Sequence, residues 1–190
     1  MSVFSEFVAA SSIAPAVIAE YADRVPEEIT ELWTTFGSGL IGSGILRLID
    51  PSVVEPWLPT FVDDPEGCVP VFASAYADIV VWRDRHFFSL DTRLRAAHAL
   101  WVSSPRHLLR FIEDPHVVEH DYRVQTYEAA TARLGVPTID ECFYYVPLLS
   151  MGGPAEAGAL RRGGLAAHLA VAADLQGKIQ IGPDGGTAAS

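Results

Sequence analysis

Ile29, Leu32, Trp33 and Phe36 fall at i, i+3, i+4 and i+7, the apolar stripe of one helical face. Pro26 fits the first helical position, Glu27 and Glu28 suit the positive end of the helix dipole, and Gly37 fits the residue just past the end. The spacing predicts a helix over 26–36, preceded by a shorter one over 13–21. Ile45–Ile49 then reads as a short strand, and Pro51–Leu58 as one or two helical turns interrupted by Pro56 and Pro59. Val69–Ser74, Asp78–Arg83 and His86–Asp91 are strand-like runs separated by gaps short enough for hairpins. Ala96–Val102 fits a further strand or a helix.

In the second half, Ser104 and Pro105 supply an N-cap and first position for a helix carrying Leu108, Leu109 and Ile112. Val124, Tyr127, Thr131 and Leu134 mark another helix, ending at Gly135. Cys142–Leu149 is an apolar, aromatic strand. Leu165, Leu169, Ala172 and Leu175 mark a last helix, ending at Gly177. The expected fold is α+β: a mainly antiparallel sheet of about four to six strands packed by helices. Leu32, Trp33, Phe36, Val71, Val80, Trp82, Leu108, Tyr127, Leu148 and Leu169 belong to its expected core. The chain divides into an N-terminal helical segment (1–24), two modules packed as one compact unit (25–103 and 104–178) and a Gly-rich tail (179–190) expected to be disordered.

Composition narrows the function classes. With 190 residues, 49% hydrophobic and 19% charged, the chain has enough apolar surface for a sizeable core, which excludes a disordered protein. A net charge of −11 and a pI near 4.8 argue against direct binding to nucleic acid or to an anionic membrane. The two cysteines, Cys68 and Cys142, make neither a disulfide framework nor a zinc pattern. The opening MSVFSEFVAASS has no Lys or Arg and carries a Glu within its apolar stretch, unlike a signal peptide, so a cytoplasmic protein is expected. Charge is also unevenly spread. Between Arg47 and Arg83 lie six acids (Asp50, Glu55, Asp63, Asp64, Glu66, Asp78) and no Lys or Arg; Phe111–Tyr122 holds four more acids and none either. Arg83–Arg110, by contrast, carries six Arg against two Asp.

Motifs for chemistry are weak. GSGLIGSG (Gly37–Gly44) contains G-x-G-x-x-G, but a helix precedes it and a strand follows, the reverse of a dinucleotide fingerprint. A helix end and tight turn explain it better. His116, His120 and Asp121 could place two imidazoles on one helical face, yet no H-E-x-x-H frame or third ligand accompanies them. Ser150 lacks the leading Gly of a G-x-S-x-G elbow. His168 sits on the apolar side of the last helix, as a core histidine would. No catalytic, metal or cofactor constellation is legible, and none is expected. The residues that suit a binding role are Trp57 and Phe61, flanked by prolines and the acidic Asp63, Asp64 and Glu66, with Glu113, Asp114, Glu119 and Asp121 as a second acidic stretch. An aromatic loop with an acidic rim suits a basic protein surface. A packed corner beside a solvated acidic loop fits the same residues equally well.

The runs PEEITELWTTFGSGLIGSGILRLIDPSVVEPWL and VPVFASAYADIVVWRDRHFFSLD resemble the bacterial GAD-like domain. ARLGVPTIDECFYYVPLLSMGG and LAAHLAVAADLQGKI resemble the C-terminal domain of type VI secretion DNase-immunity proteins. The resemblance spans about Val25 to Ile179. It implies an antitoxin without enzymatic activity or cofactor, whose partner is a cognate toxin, a basic nuclease, blocked by occlusion of its active site. The matched positions are mostly apolar, Gly or Pro and carry no binding role with them. The acidic charge is consistent with this reading, because a nuclease's substrate channel is basic. Two other classes stay open: an orphan protein- or ligand-binding module of the same fold, and a hydrolase or metal-dependent enzyme.

Overall fold

The structure, a computed structural model, describes residues 6–100, 102, 104–112 and 123–182. Seven strands form one antiparallel sheet in sequence order: β1 (Val8–Ser11), β2 (Ser38–Ile41), β3 (Leu46–Leu48), β4 (Val69–Ser74), β5 (Ile79–Arg83), β6 (His86–Asp91) and β7 (Ala96–Ala99). Each strand pairs with the next, so the sheet is a meander and needs no crossover. A second sheet is the hairpin β8 (Glu141–Tyr145) and β9 (Leu160–Gly164). The helices are α1 (Pro15–Tyr21), α2 (Glu27–Phe36), α3 (Pro51–Val54), α4 (Leu58–Phe61), α5 (Pro105–Ile112), α6 (Val124–Leu134) and α7 (Leu165–Gln176). The α+β class matches the sequence expectation; the sheet is larger than expected.

The two additional strands explain the glycine run. Ser38–Ile41 is strand β2, and β1 lies against it with Val8 opposite Leu40. A Cβ on Gly39 would come within 2.4 Å of the Phe7 ring and 2.5 Å of the Val8 carbonyl oxygen. One on Gly37, whose φ is +68°, would come within 2.3 Å of the Ser11 carbonyl oxygen. The first two glycines therefore let two backbones approach each other. Gly37 is also the residue just past α2, as expected, its N–H donating to the Trp33 carbonyl.

Both faces of the large sheet are covered. Every residue of β4 is buried, which is why VPVFAS reads as a continuous apolar run. On β5, Val80 faces one cluster while Ile79 and Val81 face the other, the period-2 alternation of a strand. The first cluster joins Ile29 and Trp33 of α2, Tyr21 of α1 and Leu108 of α5 to Leu46, Leu48, Val71 and Phe87. The second joins Leu58 and Phe61 of α4 and Leu165 and Leu169 of α7 to Ala73, Leu90 and Cys142. A third cluster sits past the β4 end, where Tyr76, Tyr127, Phe143, Tyr145 and Leu160 meet. Of the expected core, Trp33, Val71, Val80, Leu108, Tyr127 and Leu169 are buried; Leu32, Phe36, Trp82 and Leu148 are half-buried along its margins.

The start of the expected disordered tail is ordered. Ile179 is buried and bridges Val62 in parallel: its N–H donates to the Phe61 carbonyl at 2.8 Å, and its own carbonyl accepts from Asp63 N–H at 2.9 Å. Ile181 packs against the same cluster. A Gly-rich composition concealed two isoleucines spaced to place one side chain inward. Residues 183–190 lie outside the described residues. Replacing Ile179 with Ala removes a buried aliphatic side chain, a change that costs about 2–5 kcal/mol. The expected outcome is a melting temperature lower by several degrees, at about 2–4 °C per kcal/mol for a chain of this size. Calorimetry of the two proteins checks it; an unchanged transition would show that the bridge contributes nothing.

Candidate partner-binding surfaces

The acidic stretch between Arg47 and Arg83 is dispersed by folding into separate duties. Asp50 caps α3, its Oδ1 accepting from Ser52 N–H at 2.9 Å. Glu55 accepts from Tyr21 Oη and pairs with Arg24, tying α1 to the turn after α3. Burial raises the Glu55 carboxyl, but those hydrogen bonds outweigh it and hold the group below its ordinary range. Asp78 is buried in the sheet's polar centre. Asp64 is exposed but bonded to Arg83, Nη2 to Oδ2 at 2.8 Å, and that hydrogen bond holds its carboxyl below the usual range. Of these six acids, only Asp63 and Glu66 keep exposed carboxylates without a side-chain partner among the described residues. Six acids thus reduce to two that are free to meet a partner.

The aromatic half of the candidate loop changes more. Phe61, expected as an exposed anchor, is 3% exposed and belongs to the core cluster beneath the sheet. Trp57 is half-buried and packs against the same cluster. Neither stands out as a free anchor, because α4 turns its apolar side inward and Ile179 closes over Phe61. The packed-corner reading, weighed equally in the sequence, describes these two residues. Glu113, Asp114, Glu119 and Asp121, with His116 and His120, lie outside the described residues. Among the described residues no cluster of three His, Cys, Asp or Glu side chains could hold a metal.

Sequence reasoning missed a groove on the other side of α7. Its floor is Tyr144 and the buried His168, whose rings stack at 4.9 Å between centroids and 17° between planes. One wall is formed by Val146 and Met151 on the segment after β8, the other by Val171 and Leu175 of α7. The cavity is about 350 Å³. These four wall residues are 49%, 58%, 53% and 56% exposed, and they are half of the eight large apolar residues that stand exposed among those described. The signal was present in the sequence: LAAHLAVAADLQ has one charged residue, Asp174, in twelve, so it is apolar on all sides. Reading only the Leu165, Leu169 and Ala172 face concealed the second face.

The comparisons with known proteins bear on what these surfaces belong to. Residues 1–95, half of the chain, match the GAD-like domain, and residues 103–176 match the C-terminal domain of the T6SS immunity protein Tdi1. Strands β1–β6 of the antiparallel meander fall within the part of the chain matched by the GAD-like domain, and β7 follows directly after it. The chain belongs to the GAD-like family, and its residues 103–176 are similar to the C-terminal domain of the T6SS immunity protein Tdi1. The crystal structure of Atu4351 from Agrobacterium tumefaciens resembles it with a TM-score of 0.74, over 90% of this chain and 86% of that one. Their sequences are 16% identical, so the likeness is one of fold. No curated protein sequence matches the chain. No helix among the described residues is long and apolar enough to cross a membrane.

His168 offers a direct check of the groove's apolar character. Burial lowers its pKa from 6.5 to about 4. The folded protein therefore binds that proton less well than the unfolded chain does. Its contribution is complete above pH 6.5 and is lost as the pH falls towards 4. Between pH 7 and pH 5 the native protein should lose about 2 kcal/mol relative to His168→Phe, which keeps a ring against Tyr144. Urea unfolding of both proteins at the two pH values measures the difference. Equal pH dependence would mean that the imidazole is hydrated and the groove floor wet.

Proposed function

We propose that this protein is an intracellular antitoxin that binds a cognate toxin, a basic nuclease, and neutralises it by covering its active site. The observation that carries the reading is the match of residues 103–176 to an immunity-protein module, on a chain that has no legible catalytic constellation. The net charge of −11 supports a cationic partner: an acidic protein is drawn to the channel in which a nuclease holds its polyanionic substrate. The protein binds the toxin and leaves nucleic acid unbound, since its own surface would repel phosphates. Asp63 and Glu66 are the rim charges that steer the encounter, with Asp64 held to Arg83 beside them. Glu113, Asp114, Glu119 and Asp121 form the second acidic contact. Trp57, half-buried, contributes its outer edge.

Rim charges act mainly on association rate. Replacing Asp63 with Asn and Glu66 with Gln together should slow association with the toxin several-fold at low salt and flatten its salt dependence, with the dissociation rate little changed. Stability should move by about 0.5 kcal/mol or less, since both side chains are exposed and unpaired. Binding kinetics on immobilised toxin at low and high salt, with circular dichroism as the folding control, read this out. Association rates equal to the unsubstituted protein at both salts would remove Asp63 and Glu66 from the interface.

A further inference from the structure

We propose that the groove between α7 and the 146–151 segment is the seat of an amphipathic helix of the toxin, its apolar side chains entering between Val171 and Met151. The proposal rests on the antitoxin reading and adds to it a place and a mode of contact.

Three observations point there. First, α7 is apolar on two faces. Leu165, Leu169 and Ala172 are buried against the sheet, whereas Ala167, Val171 and Leu175 recur at i, i+4 and i+8 along the opposite side, exposed. A helix that is hydrophobic all round is ordinarily covered all round. Second, the exposed apolar residues are gathered, with four of the eight lining one concavity of about 350 Å³. Scattered apolar residues are normal on a surface, but a contiguous patch marks an interaction site. Third, the exposed stripe runs over about two helical turns, roughly 12 Å, which suits a second helix laid alongside with anchors at i, i+3 or i+4, and i+7.

Charge selects the occupant. A second copy of this chain would bring another −11 to the interface, so self-association works against repulsion. Residues 183–190, which follow α7 in the chain, contain no Val, Leu, Ile, Met or aromatic side chain to offer the groove. The charged residue that α7 carries is acidic: Asp174 is exposed, three residues after Val171 and next to Leu175. An apolar helix face bordered by Lys or Arg fits that edge, and a cationic toxin has such residues to offer. Docked there, the helix makes a desolvated apolar contact that slows dissociation, while the acidic rim governs the encounter.

The test uses the full chain and the purified products of the genes that flank its own. Val171→Lys and Met151→Lys place a charge on opposite walls of the groove, 20 residues apart in sequence. Both side chains are more than half exposed, so the melting temperature should be retained, and calorimetry checks it. The expected result is at least a tenfold loss of affinity for each variant, through faster dissociation. Wild-type affinity in either variant, with the unsubstituted chain binding, overturns the groove and leaves the antitoxin reading standing. Absence of binding by the unsubstituted chain overturns both. Sedimentation of the chain alone is the second readout: a dimer that Val171→Lys converts to a monomer would assign the groove to a second copy and overturn the proposal.

Discussion

A buried ion pair, Asp78 with Arg93, stands where the large sheet, its turns and the C-terminal module meet. Arg93 Nη2 lies 2.9 Å from Asp78 Oδ2, and its Nε donates to Oδ1 at 3.2 Å. The same carboxylate accepts from Ser74 Oγ at 2.9 Å and from Thr92 N–H at 3.3 Å, so the turn after β4 is fastened to the turn after β6. The Arg93 guanidinium in turn lies 5.3 Å from the Tyr76 ring centroid, and Tyr76 stacks on Tyr145 of β8. Taking Arg93 away would leave the Asp78 carboxylate uncompensated in the interior, which costs about 3–5 kcal/mol. The pair is therefore a constraint on geometry: β4–β5 and β6–β7 cannot shift relative to each other without breaking it.

Separate hydrogen bonds tie the smaller sheet and α6 to the large sheet and its turns. Phe143 N–H donates to the Ala75 carbonyl at 2.7 Å, Tyr127 Oη donates to the Ser43 carbonyl at 2.8 Å, and the buried Arg47 guanidinium donates to the Glu141 carbonyl. These ties place β8 and β9 over the end of the large sheet, and Leu165 N–H continues them by donating to the Asp140 carbonyl at 2.8 Å. The start of α7 is thereby fixed. One side of that helix closes the core, and the other side becomes the wall of the apolar groove. The interior network thus determines which face α7 presents outward.

Much of this architecture was legible in the residues, and the exceptions have physical causes. Strands β4, β5 and β6 and helices α2, α6 and α7 follow from periodicity because their apolar positions are filled by large side chains. Strands β1 and β2 were hidden because close approach demands small residues there, and small residues read as a turn. Strand β9, LRRGG, buries only Leu160 and pairs along its backbone, which leaves no alternation to see. The candidate site fared less well. A run of acids in sequence says nothing of which carboxylates will be used internally, and Asp50, Glu55 and Asp78 all were. Phe61 was misjudged because its covering residue, Ile179, lies 118 positions away in the chain. The groove was missed because a helix with two apolar faces looks, from either one alone, like an ordinary core helix.

What emerges is a scaffold that exposes two kinds of surface: carboxylates without a side-chain partner at Asp63 and Glu66, and an apolar groove beside α7. On the antitoxin reading proposed above, the first would steer the encounter with a cationic toxin and the second would hold it. The most direct test is the growth of bacteria in which the genes flanking its own are induced one at a time, with and without this chain co-expressed. The account predicts that the co-expressed chain restores growth and co-purifies with the toxin. Killing at an undiminished rate, in cells that contain the folded chain in excess, would contradict it.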